Sequence, residues 1–585
     1  MHMHMRHQPS KIPLLILVIF YPLLAGCAPW VEPRRSVAPI HATPTWASAF
    51  TPMSVPTSTC TAKSNTPGPM STLHVAGELH LAVREDVKTL NPYLASNASE
   101  EFIVSLLYDT LLSYDLYQGL QPNLAERWEL ASDGFNLTCW LNPQARWHDG
   151  QPVTAEDVVF SVNLVRQKQV PGLVYVAALI DRVEAINPSE VRFALLTKRA
   201  NAVRLLGTKL RIVPARLWEN VDDPLHYPNL DNPIGSGPFL VVERAEGKRL
   251  VLRNTSVHHC TRPSIDTLVL EILRDEDKAL KALKDGELDA LGWDVTPEVA
   301  SKVRDNSDDY AGIKLGEAPG TWTYTLLLNL RKAPYDSHAF RQALAQALDL
   351  QAILDAALMG FGDAATPGLF PPASGWQDPS IMSIAFDPQQ AIKALETAGF
   401  VDRNGDGLRE NPNGSGVEIP IACAKLPIPM RVAEMVAANW QAIGIAAKVM
   451  PVAQELVMPA LMQAQFDVIL HSISLSEPEM AFFYFHTSCG LLRNGRVFGF
   501  NYGGFANPEY DKTVTAAQEE QNPAKQQELL YQLQEMLAAD LPQNPLYIPH
   551  VLNLYRDDRF VGWVAEPGLG LLSRKTMANL RALGK

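Results

Sequence analysis

Asp402, Asn404 and Asp406 place oxygen-bearing side chains at alternate positions ahead of Gly407 in the run DRNGDGLRE, the first half of a loop able to wrap Ca2+. The second half departs from that pattern. The position that should close the loop with a bidentate carboxylate is Asn413, and the nearest further acid is Glu410. Two readings follow: a structural Ca2+ site built from Asp402, Asn404, Asp406 and Glu410, or an Asp/Asn/Gly turn after a helix that ends at Gly399. Ca2+ is the one cofactor the residues raise. Catalytic chemistry finds less support. The sequence holds no HExxH, GxSxG, P-loop or CxxC spacing, so zinc hydrolysis, serine acyl transfer, nucleotide hydrolysis and dithiol exchange lack their usual residues. No catalytic residue is assigned, and a protein that is not an enzyme is expected. His148 beside Asp149 belongs to a turn.

The clearest positioning elements lie in the stretch from Leu124 to Ser161, LAERWELASDGFNLTCWLNPQARWHDGQPVTAEDVVFS. Phe135, Leu137, Cys139 and Leu141 alternate with Asn136, Thr138 and Trp140, which predicts a strand with one face on a core, entered through a turn at Asp133 and Gly134. A second turn at His148, Asp149 and Gly150 leads to Thr154, an N-cap with Asp157 three residues on and Val158, Val159 and Phe160 opening an apolar face. The same punctuation recurs as Asp387 with Pro388, Thr296 with Pro297, Asn507 with Pro508 and Asn522 with Pro523. Arg431 to Ile443 has helical spacing and stops at Gly444, ahead of a strand-like run. Alternating helices and strands without a fixed repeat predict an α/β protein.

The Leu124 to Ser161 stretch resembles the signature of the peptide/nickel-type extracytoplasmic solute-binding proteins of ABC importers, family 5. NPIGSGPF (Asn232 to Phe239), LKDGELDAL (Leu283 to Leu291), LNLRKAPYDSHAFRQALAQALD (Leu328 to Asp349) and FANPEYD (Phe505 to Asp511) are similar to further landmarks in the family's order. The resemblance implies a two-lobed periplasmic-binding-protein fold (type II, cluster C) with an extra subdomain inserted in the first lobe. On that pattern lobe I takes 73–111 and 231–270, the inserted subdomain 112–230, lobe II 271–539, and the return to lobe I 540–585. It also implies a ligand cleft. In peptide-binding members the segment matching His471 to Phe485 carries an aspartate that pairs with the peptide's α-ammonium group. Aligning on Glu477 and Pro478 puts Ser474 there, with Glu477 or Glu479 taking that place if the alignment shifts. His471, Ser474, Glu477, Phe485, Trp293, Trp322 and Tyr324 are the candidate ligand contacts, each aromatic having a core role as its alternative. A cleft with several rings and few charges suits peptides, sugars or other uncharged solutes.

The N-terminal residues indicate where the protein works. Arg6, His7 and Lys11 precede an apolar run from Ile12 to Gly26, too short for a mature membrane span and typical of a signal peptide over 1–26. Leu24 to Cys27, LAGC, resembles a bacterial lipobox, which implies lipid on Cys27. The Pro/Thr/Ser-rich run 27–72 reads as a tether. With Cys27 lipidated, Cys260, Cys423 and Cys489 are the nearer candidates for a disulfide, buried free thiols being the alternative. A formal net charge of −13 without a basic stripe argues against nucleic acid. The expected protein is a monomeric lipoprotein, anchored by lipid outside the cell membrane, that captures a peptide or small-molecule solute and delivers it to an ABC permease and its ATPase. An extracytoplasmic sensor and a secreted hydrolase are the alternatives.

Overall fold

The computed structural model describes residues 77–583 apart from 116–117, 200, 256–257 and 261. The signal peptide, Cys27 and the tether therefore lie outside the described residues. Among the described residues no helix is long and apolar enough to cross a membrane.

Leu79, Leu81 and Val83 of the strand Gly77–Val83 join one core and Ala82 joins another, so this strand is covered on both faces. It forms the centre of a seven-stranded sheet, running parallel to Ile265–Ile272 on one side and to Ala290–Leu291 on the other. Arg249–Asn254 and Phe239–Ala245 complete one edge, and Val551–Arg556 and Ile313–Ala318 the other. A second sheet has six strands in the order Gly362–Ala364, Gln543–Pro549, Thr323–Leu328, Val468–Ile473, Glu418–Ala424 and Ala446–Val452.

The two sheets mark two lobes, and their strands relocate the expected boundaries. Lobe II does not begin at 271, because Ala290–Leu291 and Ile313–Ala318 pair with the first sheet. The first passage falls between Ala318 and Thr323 instead. Nor does the return begin at 540, because Gln543–Pro549 pairs with Thr323–Leu328 in the second sheet. The chain goes back between Pro549 and Val551.

The insertion is built around a four-stranded antiparallel sheet, Ala125–Leu130, Asn136–Leu141, Glu190–Leu195 and Ile180–Asn187, preceded by the hairpin Leu112–Asp115 and Gly119–Pro122. Leu137, Cys139 and Leu141 are buried as their alternation predicts, while Phe135 precedes the strand and is exposed. The helix Ala155–Lys168 starts where Thr154 was expected to cap it. The Asp157 carboxylate accepts the Thr154 N–H at 2.9 Å and its hydroxyl at 3.1 Å. Asp387, Thr296, Asn507 and Asn522 likewise cap the proline-led helices Pro388–Thr397, Pro297–Asp305, Pro508–Glu519 and Pro523–Asp540. The helix expected from Arg431 begins earlier, spanning Pro427–Gln441, because Pro427 suits a first turn.

Two of the sequence landmarks meet in space. His148 Nδ1 accepts the Gly235 N–H and its Nε2 donates to the Gly237 carbonyl at 3.0 Å, which joins the HDG turn to NPIGSGPF. A Cβ on Gly235 would lie 1.8 Å from the Leu107 carbonyl oxygen and one on Gly237 2.3 Å from that of Leu106, so only glycine lets this loop cross the end of the helix Ala98–Leu107. The expected pairing among Cys260, Cys423 and Cys489 does not form. Cys423, Cys489 and Cys139 form no disulfide and are buried in separate cores, whereas Cys260 is disulfide-bonded.

Candidate functional site

Parallel strands aim their carboxyl ends at one side of a sheet, and in open α/β sheets the crevice beyond those ends is where ligands collect. Here the chain leaves Gly77–Val83 at Arg84 and Glu85, and leaves Ala290–Leu291 at Gly292, Trp293 and Asp294. Both exits line one cavity of about 780 Å3. The helix Ala98–Leu107, the hairpin of the insertion and the returning segment around Glu566 to Ala578 supply its other walls. Trp293 is the one sequence candidate that lines it. Its carbonyl accepts Asn553 Nδ2 at 3.1 Å, the Arg84 guanidinium lies 4.9 Å from its ring centre, and its indole N–H has no partner among the described residues.

The other candidates sit in the second lobe. His471 lies on Val468–Ile473 opposite Thr325, edge-on to Tyr502 at 6.2 Å, and burial pulls its pKa down to about 4, so the imidazole is neutral. Tyr324 stacks on Tyr547 with ring centres 5.0 Å apart. Phe485 is only 1% exposed and packs against Phe505 and Tyr510 in a core. Trp322 stands 50% exposed in the first crossing segment. The Ser474 hydroxyl donates to the Thr321 carbonyl at 3.1 Å and faces the Ser476 hydroxyl at the same distance. Thr321 in turn abuts Gly568 of the cavity wall.

Both acids that could stand in for an ammonium-binding aspartate already hold cations of the protein. Lys209 pairs with Glu477, and Arg204 pairs with Glu479 and lies 3.6 Å from Glu477. Arg204 and Lys209 belong to the helix Ala202–Lys209 of the insertion, so these pairs join the lobes. Arg199 with Gln518 at 2.7 Å and Tyr175 edge-on to Phe483 extend the same contact. Burial pushes Glu477 up, but Lys209 and Arg204 outweigh it and hold the carboxyl below its usual range. Glu479, 3% exposed, is pushed up by burial that Arg204 offsets only in part. The Tyr114 ring, which lines the cavity, lies 5.9 Å from the Arg204 guanidinium and so connects the two places.

The sequence model of the bacterial extracellular solute-binding proteins, family 5 Middle, matches residues 119–490. The chain belongs to this family. The dipeptide-binding protein of Escherichia coli is 27% identical over 384 residues, 61% of this chain and 69% of that protein. The peptide transport periplasmic protein SapA of Salmonella typhimurium is 25% identical over 516 residues, covering 83% of this chain and 89% of that protein. Among solved structures, the periplasmic oligopeptide-binding protein of Thermotoga maritima superposes with a TM-score of 0.75 at 23% identity, over 86% of this chain and 99% of its own. The two-lobed fold is therefore shared, and the family is one of binding proteins rather than enzymes.

Two further groups of this family-5 protein have donor atoms that suggest metal. In the 402–410 loop, Asp402 accepts the amides of Gly405 and Gly407, Asn404 that of Asp406, Asp406 that of Leu408 and Glu410 that of Arg403. The oxygens thus stabilise the turn itself, and the Gly407 and Gly405 amides hold Asp402 below the usual carboxylate range. The second group escaped the sequence because two distant segments build it. Asp109, His258 and His259 bring one carboxylate oxygen and two ring nitrogens within 4.8 Å of one another, all buried. The Arg574 guanidinium already stands there, 2.5 Å from Asp109 and 3.2 Å from His258 Nε2. Burial pushes Asp109 up, yet Arg574 and His258 prevail and hold it well below its ordinary value. This is a compensated charge joint that ties the helix Arg574–Asn579 to the first lobe.

Proposed function

We propose that this family-5 protein is the receptor of an ABC importer, capturing an oligopeptide or a solute of similar size outside the cytoplasmic membrane. It closes its lobes on the ligand and presents the closed form to a permease, whose ATPase subunits supply the energy. Lipid on Cys27 anchors it, residues 28–72 tether it, and it acts as a monomer. The observation that supports this reading best is the cavity of about 780 Å3 at the strand ends, whose hairpin wall reaches through Tyr114 to the ion pairs between the lobes. That size suits a short peptide. The names of the Escherichia coli, Salmonella and Thermotoga relatives, all peptide binders or transporters, favour the same solute class.

Native mass spectrometry of the full chain purified without added ligand, followed by denaturation, tests it. A released peptide or other small solute is the expected result. Hydrolysis of added oligopeptides or oligosaccharides by the purified chain would count against it.

A further inference from the structure

The charges lining the cavity do not balance once those already satisfied are set aside. Three cations face it. Arg84 is 3.2 Å from Glu276, Lys575 is 2.9 Å from Asp115 and Arg574 is 2.5 Å from Asp109, so each has a carboxylate of its own. Of the acids in the wall, Asp115 is matched by Lys575 and Glu101 by Arg211. Asp294 and Glu566 stand in no ion pair among the described residues, and neither does Glu85 at the rim. No lining cation is left to receive a ligand carboxylate, while at least two carboxylates are left to receive a cation.

We propose that the cavity binds the cationic group of a ligand, an ammonium or guanidinium, with Asp294 and Glu566 as its counter-charges, and that the ligand is a peptide bearing Lys or Arg side chains. This rests on the receptor reading above and gives it a charge class. Asp294 directly follows Trp293 in the cavity wall, where the strand Ala290–Leu291 ends. A peptide supplies such a cation on its Lys or Arg side chains. Asp294 reaches solvent within the cavity, yet the protein around it pushes its carboxyl up to about 6, with Arg84 offsetting only part of that burial. An arriving cation meets a carboxylate that Arg84 has not fully neutralised.

Isothermal calorimetry on the full chain tests the proposal with acetyl-Lys-Ala-Lys-amide, acetyl-Glu-Ala-Glu-amide and spermidine, the blocked termini leaving only side-chain charge to differ. The lysine peptide is expected to bind at least tenfold tighter than the glutamate peptide. Asp294→Asn and Glu566→Gln should each weaken it about tenfold, the scale of one charge-assisted hydrogen bond, with unchanged thermal melting. Spermidine binding tightly while the lysine peptide does not would overturn the peptide assignment and keep the cation subsite, provided that Asp294→Asn weakens it. Equal binding of the acidic peptide, or both variants within twofold of the parent, would overturn the subsite. In that case lobe closure by any peptide, read by small-angle scattering, keeps the receptor reading, and no binding or closure by any of the three overturns both.

Discussion

Asp157 shows how much one residue can hold. Its carboxylate accepts the Thr154 amide and hydroxyl, the Trp147 indole N–H at 3.3 Å and the Ala215 amide at 2.8 Å. It is buried, so each of these donors would lose its partner without water to replace it. Asp157→Ala is expected to destabilise the chain by about 2–4 kcal/mol, the sum of a lost cap and unsatisfied buried donors. Chemical denaturation followed by far-UV circular dichroism checks this, and a loss under ~1 kcal/mol would mean that the donors find other partners. Thr154 and Asp157 were legible in the sequence because a cap is local, written within four residues. Asp294 and Glu566 were not, because their common wall exists only after the return segment folds back beside the strand Ala290–Leu291. Glu477 and Glu479 were legible as acids near the ligand segment but not as partners of Arg204 and Lys209, from which 268 to 275 positions separate them.

Among the elements, the strand pair Gln543–Pro549 and Val551–Arg556 is the second connection between lobes, and His550 stands at its bend. The imidazole pairs with Glu317 on Ile313–Ala318 of the first sheet and lies 3.0 Å from Asp363 on Gly362–Ala364 of the second. Hydrogen bonding to Asp363, with Glu317 adding to it and burial opposing, raises its pKa to about 9. A folded value above the unfolded one means that the pairing stabilises the protein fully below about pH 6.5, and that this share is lost as pH rises through 9. The melting temperature should therefore fall between pH 6.5 and 9 in the parent, and fall less in His550→Gln. Scanning calorimetry across that interval, with identical slopes for both proteins, would remove the hinge role of His550. The lobe boundaries themselves were hard to read from sequence for a related reason. Ala290–Leu291 is a strand of two residues, too short for any period, yet its pairing keeps everything to Ala318 with the first sheet.

For the whole molecule, the proposed lipid anchor at Cys27 and the two lobes belong to separate parts of the chain. Cys27→Ala is expected to move the protein from the membrane to the soluble fraction with ligand affinity unchanged, and retention on membranes after fractionation would refute lipid anchoring. Closure is the more demanding property. In the proposed receptor cycle the lobes rotate about two crossing segments, so the balance between open and closed forms would depend on contacts like Arg204 with Glu479. Arg204 lies between two carboxylates, and its removal would leave Glu479 buried beside Glu477 without its direct ion-pair partner, with Lys209 on Glu477 and the more distant Arg199 as the remaining cations. Breaking one partner of a buried pair costs about 3–5 kcal/mol where the lobes stay together, and much less where they part and let water reach the acid. Arg204→Ala should therefore favour the open form, enlarge the radius of gyration measured by small-angle scattering without ligand, and weaken binding of any solute that requires closure. Arg204→Ala with Glu479→Gln removes the stranded charge as well and should recover part of the closed population. If scattering profiles of the parent, single and double variants coincide, these ion pairs do not control closure, and the contact between Tyr175 and Phe483 becomes the next place to look for that control.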